Sequence, residues 1–383
     1  MELSYILNQL GEERENYFNA VSPPIIQSSN FCAKSVADLR KILSNEYETP
    51  FYTRGYNPTV GILRKKIAAL EGAEDALVFS SGTAAMAAAI MSVAKAGDHV
   101  VCVKKPYSWT NALLNNYLVK YGVSTTMVDG TETKNFENAI QENTKLIYLE
   151  SPNSLTFELQ DIEAIAKLAK QKNITTIIDN SYSSPLQQSP IKMGIDLIVH
   201  SASKYLSGHS DVVAGVVCGS SARIKKMFGE EFMNIGGIIS PHDAWLMIRG
   251  LRTLEIRINR VSESAAQVVE FLENHPKIEK INYPFSKNNP QLALAKKQMK
   301  SATGLFSIQI KAKDISQIDA FCDNLKHFLM ATSWGGYESL VFPIGALPQA
   351  KNSGLPFNLV RIYIGLENPE ILISDIKQAL EKV

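Results

Sequence analysis

The 383-residue chain has four cysteines, Cys32, Cys102, Cys218 and Cys322, and no two of them form a C-x-x-C pair. That scarcity excludes a disulfide framework and a thiolate metal cluster, and reads as buried or free thiols in a reducing compartment. The six histidines show no ligand spacing, so no metal is expected. Charge of one sign is missing too. With 39 basic against 38 acidic residues there is no field to condense on nucleic acid or an anionic membrane. Nor is there a long apolar run: the longest, Thr83 to Lys95, is Ala-rich and too short to span a bilayer. Met1 to Gly11 carries acids and no basic flank before an apolar core, so it does not read as a secretory signal. The expectation is a cytoplasmic protein with neither nucleic acid nor membrane as partner.

What is present suits a globular chain with one large core and a smaller one: 45% hydrophobic and 20% charged residues. Residues 1–50 have weak periodicity, Pro23-Pro24 and a Ser/Asn cluster, and read as an extended arm of the kind that docks on a neighbouring subunit. From Thr59, apolar residues at Val60, Leu63, Ile67 and Leu70 fall at helical spacing, and Gly72 marks the stop. Over 51–240, short apolar runs at 76–79, 100–103, 125–128, 146–149, 176–178, 197–199 and 215–217 read as strands, alternating at first with amphipathic helices. Such alternation predicts a large α/β domain with a mostly parallel sheet covered on both faces, and ligands collect at the carboxyl ends of its strands. Ser240-Pro241-His242-Asp243 opens a long helix through Ile256, and 241–383 reads as a smaller α/β domain.

The chemistry is carried by separate segments that this topology brings to one sheet edge. Ser80-Ser81-Gly82-Thr83 follows a strand and opens a helix, where backbone N–H groups and the helix dipole suit a phosphate. Alone, that pattern is as easily an ordinary capped helix. Asp179 ends the strand Thr176-Ile177-Ile178, and Lys204 lies in Ser201-Ala202-Ser203-Lys204-Tyr205. A solvated lysine and a loop-capping acid are the bland readings of those two. Together they match an aldehyde cofactor: lysine for the Schiff base, serines for a phosphate, and an acid for a pyridine nitrogen, which is the chemistry of pyridoxal 5′-phosphate (PLP). Tyr52 and Arg54 place a phenol and a phosphate-binding guanidinium in an extended segment before Asn57-Pro58-Thr59.

These motifs resemble the transsulfuration (Cys/Met metabolism) family of PLP enzymes, and most of all cystathionine β-lyase. Tyr-x-Arg-x-x-Asn-Pro-Thr at 52–59, Ser-Ser-Gly-x-Ala-Ala at 80–85, Glu-Ser-Pro at 150–152, Asp-Asn at 179–180 and Ser-x-Ser-Lys-Tyr at 201–205 carry the resemblance. It implies PLP-dependent fold type I, the aspartate aminotransferase-like α/β fold. Lys204 would be the Schiff-base lysine, Asp179 the partner of the ring nitrogen, and Ser81, Gly82, Thr83, Ser201 and Ser203 the phosphate site. Tyr107 would stack on the ring and share proton handling with Lys204. Arg361, with Ser333 beside it, would grip the α-carboxylate of a small amino-acid substrate. Tyr52 and Arg54 would reach the neighbouring subunit's phosphate, giving a homo-oligomer, a dimer of dimers, with shared sites.

The chain departs from the family pattern around Trp109, which reads as a wall of the pocket mouth or as a core residue, and the cysteine of a typical methionine γ-lyase is missing there. It also departs at Asn153-Ser154-Leu155, where serine stands in the asparagine position and Asn153 substitutes only if the loop shifts. The run Ser-Trp-Gly-Gly-Tyr-Glu-Ser-Leu, with Trp334, resembles the β-lyases of the family more than its γ-enzymes, which implies release of a thiol, pyruvate and ammonia from cystathionine or a related cysteine S-conjugate. The alternatives are γ-elimination or γ-replacement, and a non-catalytic member of the fold.

Overall fold

The computed structural model describes residues 1–347 and 354–383. Seven strands, β1 (Asp75–Phe79), β2 (His99–Val103), β3 (Ser124–Val128), β4 (Thr144–Glu150), β5 (Thr175–Asp179), β6 (Leu197–Ser201) and β7 (Gly215–Gly219), form one sheet in the order β1-β7-β6-β5-β4-β2-β3. All its pairings are parallel except those of β7, which runs against both β1 and β6. Every residue of β2 and β7 is buried, as an apolar run without alternation demands when helices cover both faces. Because β1, β2, β4, β5 and β6 point the same way, their carboxyl ends share one edge, and the turns after Phe79, Val103, Glu150, Asp179 and Ser201 lie along it.

A second sheet contains β8 (Ile278–Asn282), β9 (Leu305–Ile310), β10 (Leu329–Met330), β11 (Leu340–Pro343) and β12 (Leu359–Tyr363), in the order β10-β11-β12-β9-β8. The short strands β10 and β11 are additions to the sequence reading. Two helices, Pro241–Leu251 and Leu254–Glu273, replace the single helix expected through Ile256. Ser240 caps the first of them as read, its Oγ accepting from Asp243 N–H at 3.0 Å. Asn57 caps the helix Pro58–Glu71, which stops at Gly72 in the left-handed region (φ 72°).

The arm differs from its expected form. Leu3–Asn8 is helical, with Ile6 and Leu7 buried, while Val36–Ser44 forms a second helix with no buried residue. The first turns are tied down by Lys66, whose fully buried ammonium donates to the carbonyls of Ile6 (3.1 Å) and Leu7 (3.2 Å). Glu12 balances that charge at 3.1 Å and also pairs with Arg252 (3.2 Å) and Arg14 (3.3 Å). Burial pulls the Lys66 pKa down and Glu12 pushes it back up. Glu12→Gln leaves a buried ammonium without its counter-charge and is expected to cost about 3 kcal/mol, read from the denaturant midpoint. Among the described residues no helix is long and apolar enough to cross a membrane.

Candidate active site

Gly82 opens the helix Gly82–Met91, and Ser81 caps it by accepting from Ala84 N–H at 3.0 Å. A Cβ on Gly82 would lie 2.9 Å from Ser201 Cα, so only glycine lets this helix start approach the end of β6 so closely. The first helical N–H groups, which have no partner within a helix, therefore lie beside the Ser201 turn. Ser201 N–H donates to Ser181 Oγ at 2.6 Å, and the Ser203 hydroxyl is held by both backbone polar groups of Ala214.

Ser81, Gly82, Thr83, Ser201, Ser203, Lys204, Asp179, Tyr107, Ser154, Ser333 and Arg361 all border one cavity of about 530 Å³. That volume is in the range of small-molecule sites. Lys204 Nζ donates to Ser333 Oγ at 2.5 Å and lies 4.5 Å from the centre of the Trp334 ring. Arg361 sits 5.4 Å from that ring, and its Nη1 reaches Ser154 O at 3.5 Å. Burial first, then the positive charge of Arg361, lowers the Lys204 amine to about 8, while Asp179 opposes them. Burial also lowers Arg361, to about 10, so it stays cationic at neutral pH.

Asp179 Oδ1 accepts from Ser181 N–H at 2.9 Å, and burial raises its carboxyl above the ordinary value. Glu150 ends the adjacent strand in register with Asp179. Burial, and then Asp179, push it up to about 8. Its Oε2 accepts from Tyr107 N–H at 2.6 Å and its Oε1 from Ser154 N–H at 3.3 Å. The Lys204 turn is covered by a loop leading into the second sheet: Gly335 has φ 88°, and a Cβ there would lie 2.7 Å from Lys204 C. Ser333 itself has φ 83°, strained for a residue with a side chain.

Four residues stand apart from the cavity. Asn153 is fully buried, and its Oδ1 accepts from the N–H groups of Leu155, Thr156 and Phe157, so it builds its own loop while Ser154 faces inward. The loop is not shifted to bring Asn153 in. Tyr52 and Arg54 are exposed and border a shallower pocket with Ser28, Ser29 and Ile239. The Trp109 ring is 61% exposed, which removes the core reading, and it does not border the cavity. Glu150 and Ser181 also border the cavity and carry no site role in the sequence reading, although Glu150 closes a strand just as Asp179 does. His200, in the strand that leads into the lysine turn, is buried against Glu71.

A mixed, mainly parallel sheet with an amine, an acid and a hydroxyl-lined turn along one edge has the architecture of the fold type I PLP-dependent enzymes. Residues 6–381 match the Cys/Met metabolism PLP-dependent enzyme family, and the chain belongs to it. It is thus a PLP-dependent carbon–sulfur lyase of cysteine and methionine metabolism. It is 38% identical over 379 residues to the L-methionine gamma-lyase of Fusobacterium nucleatum, covering 96% of this chain and 95% of that one. It is 36% identical over 370 residues to the cystathionine beta-lyase of Lactococcus lactis subsp. cremoris, with 95% and 94% covered. Its structure resembles the crystal structure of metB from Corynebacterium glutamicum with a TM-score of 0.93 and 35% identity, over 100% of this chain and 98% of that one.

The residues present fit PLP. The crowded approach of Gly82 to Ser201, next to the helix start, is a cradle for an anion, while Lys204 and Asp179 supply the amine and acid that the aldehyde and ring nitrogen require. The amine must be neutral to attack, and it is protonated below its pKa. Cofactor uptake by the apoprotein is therefore expected to quicken about tenfold per pH unit up to about 8 and to level off above it. Stopped-flow absorbance of added PLP measures this.

Proposed function

We propose that the protein catalyses β-elimination of cystathionine or a related cysteine S-conjugate, releasing a thiol, pyruvate and ammonia. The observation that carries this reading is the tether on Lys204, held between Ser333 Oγ and the Trp334 ring. β-Elimination needs one proton removed at Cα, whereas γ-chemistry requires the base to work at Cβ as well. Holding the amine at one place favours work at one carbon.

In this reading Asp179 holds the ring nitrogen, and Ser81, Gly82, Thr83, Ser201 and Ser203 hold the phosphate. Bound PLP supplies an aldehyde that takes the substrate amine and a ring that draws the electron pair from Cα. Arg361 binds the substrate carboxylate with its fork and so fixes which Cα bond stands perpendicular to the ring. Ser154 contributes its backbone and hydroxyl beside it. Lys204, tethered at Ser333, takes the Cα proton, and Tyr107 assists proton delivery to the leaving sulfur. Identification of the keto acid tests the assignment: pyruvate from cystathionine is expected, and 2-oxobutyrate or a new thioether would overturn it.

The working unit is proposed to be a homodimer or a dimer of dimers with shared sites. Among the described residues bordering the cavity the only cations are Lys204 and Arg361, and both have other work in this reading, so one chain lacks a cation for the phosphate. Exposed Arg54, with Tyr52 beneath it at 5.7 Å, is available to a second copy. Arg54→Ala and Lys204→Ala chains, each inactive alone, are expected to regain about a quarter of wild-type activity when refolded together as random dimers, because half the chains enter mixed dimers and each of these holds one complete site. Absence of recovery in a keto-acid assay would reject sharing.

A further inference from the structure

The buried acid Glu150 is left over once Asp179 has been given the ring nitrogen. It ends β4 beside Asp179, borders the same cavity, and is only 5% exposed. Both of its oxygens take a backbone donor. Through Oε2 it accepts the backbone N–H of Tyr107, from the turn after β2, and through Oε1 that of Ser154, from the turn after β4. The first turn carries the aromatic ring at the cavity wall, and the second presents its carbonyl to Arg361.

The two turns also meet at the surface, where Lys105 pairs with Glu158 at 3.3 Å and both side chains are about 40% exposed. A solvated pair of that kind fixes geometry weakly. A buried carboxyl accepting two backbone donors at once does so far better, since no water competes for either acceptor. The strand end carrying Glu150 is itself held, because Gln160 Oε1 accepts Glu150 N–H at 3.2 Å.

We propose that Glu150 is a positioning residue that fixes the Tyr107 turn and the Ser154 turn to each other, and so sets the spacing between the ring-facing wall and the carboxylate-binding wall. It acts through those residues and does not touch the substrate. The inference rests on the reading of Tyr107 and Arg361 given under the proposed function. Glu150→Gln keeps the shape but puts an amide N–H₂ against one of the two donors, while Glu150→Asp keeps both acceptors and withdraws them by one methylene.

Hydrogen exchange of the holoenzyme, read by mass spectrometry with residue-level fragmentation, together with kcat and KM for cystathionine, tests it. In Glu150→Gln the amides of Tyr107 and Ser154 are expected to exchange at least about tenfold faster, with kcat reduced and KM raised together. Glu150→Asp is expected to recover part of both effects. Unchanged exchange at these two amides, or a rise spread evenly over the chain, would overturn the proposal. Should the Gln variant not fold, the wild type decides: its Tyr107 and Ser154 amides should exchange more slowly than that of Lys105, and equal rates would reject the clamp. If wild-type enzyme yields no pyruvate, the β-lyase reading fails while the exchange data still judge Glu150.

Discussion

Lys204→Ala is expected to abolish turnover, lowering kcat by about 10⁴-fold, and to remove covalent attachment of the cofactor. Both effects come from one atom, because in the proposed reading Nζ would be at once the group that joins the aldehyde and the base at the substrate. Added alkylamine should restore a small part of the activity, since a free amine enters the cavity but lacks the hold of Ser333. The fold should be little affected, for the lost contacts are one hydrogen bond to Ser333 and the face of Trp334. Borohydride reduction followed by peptide mapping is the direct check. The wild type should carry the label on Lys204 and the variant should carry none; retention of turnover within tenfold would remove Lys204 from the mechanism.

Arg361→Leu is expected to lower kcat/KM by about 10³-fold, mostly through KM, because two charge-assisted hydrogen bonds to the carboxylate of about 1.5–3 kcal/mol each disappear. Arg361→Lys should recover little, as an ammonium cannot present the planar fork. The substitution also reaches Lys204. Arg361 helps hold that amine down at about 8, so removing its positive charge stabilises the ammonium and raises the pKa. The pH at which cofactor uptake levels off should therefore move upward in Arg361→Leu. A loss of substrate affinity with an unmoved uptake profile would mean the two cations do not sense each other.

Most strands of the large sheet are legible in the sequence because they are apolar on both faces, the edge strand β3 being the polar exception, and each is followed by turn or helix-start residues. The second sheet is less so. β10 has two residues and β11 four, too short to show a period, and both depend on pairing with β12. The helix Leu3–Asn8 hides for a different reason: part of what holds it is Lys66, sixty residues downstream by sequence separation. At the site, Lys204, Asp179 and Gly82 could be read from their places after strands. The choice between Asn153 and Ser154 could not, since adjacent side chains in a loop point different ways and only the hydrogen bonds made by Asn153 reveal which one turns inward. Tyr52 and Arg54 do not meet Lys204 within one chain, so no single-chain geometry gives them their role.

The loop that lays Gly335 on the Lys204 turn has a consequence for the order of events in the life of the molecule. The lysine and the serine that tethers it are separated by 129 residues, and Arg361 comes later still. During synthesis Lys204 emerges long before either, as an ordinary solvated amine. It takes on its lowered pKa only when Arg361 and the burying loop with Ser333 and Trp334 have been made and folded beside it. Competence to capture the cofactor is thus a property of the finished chain, and a truncated product ending before residue 333 is expected to leave PLP in solution.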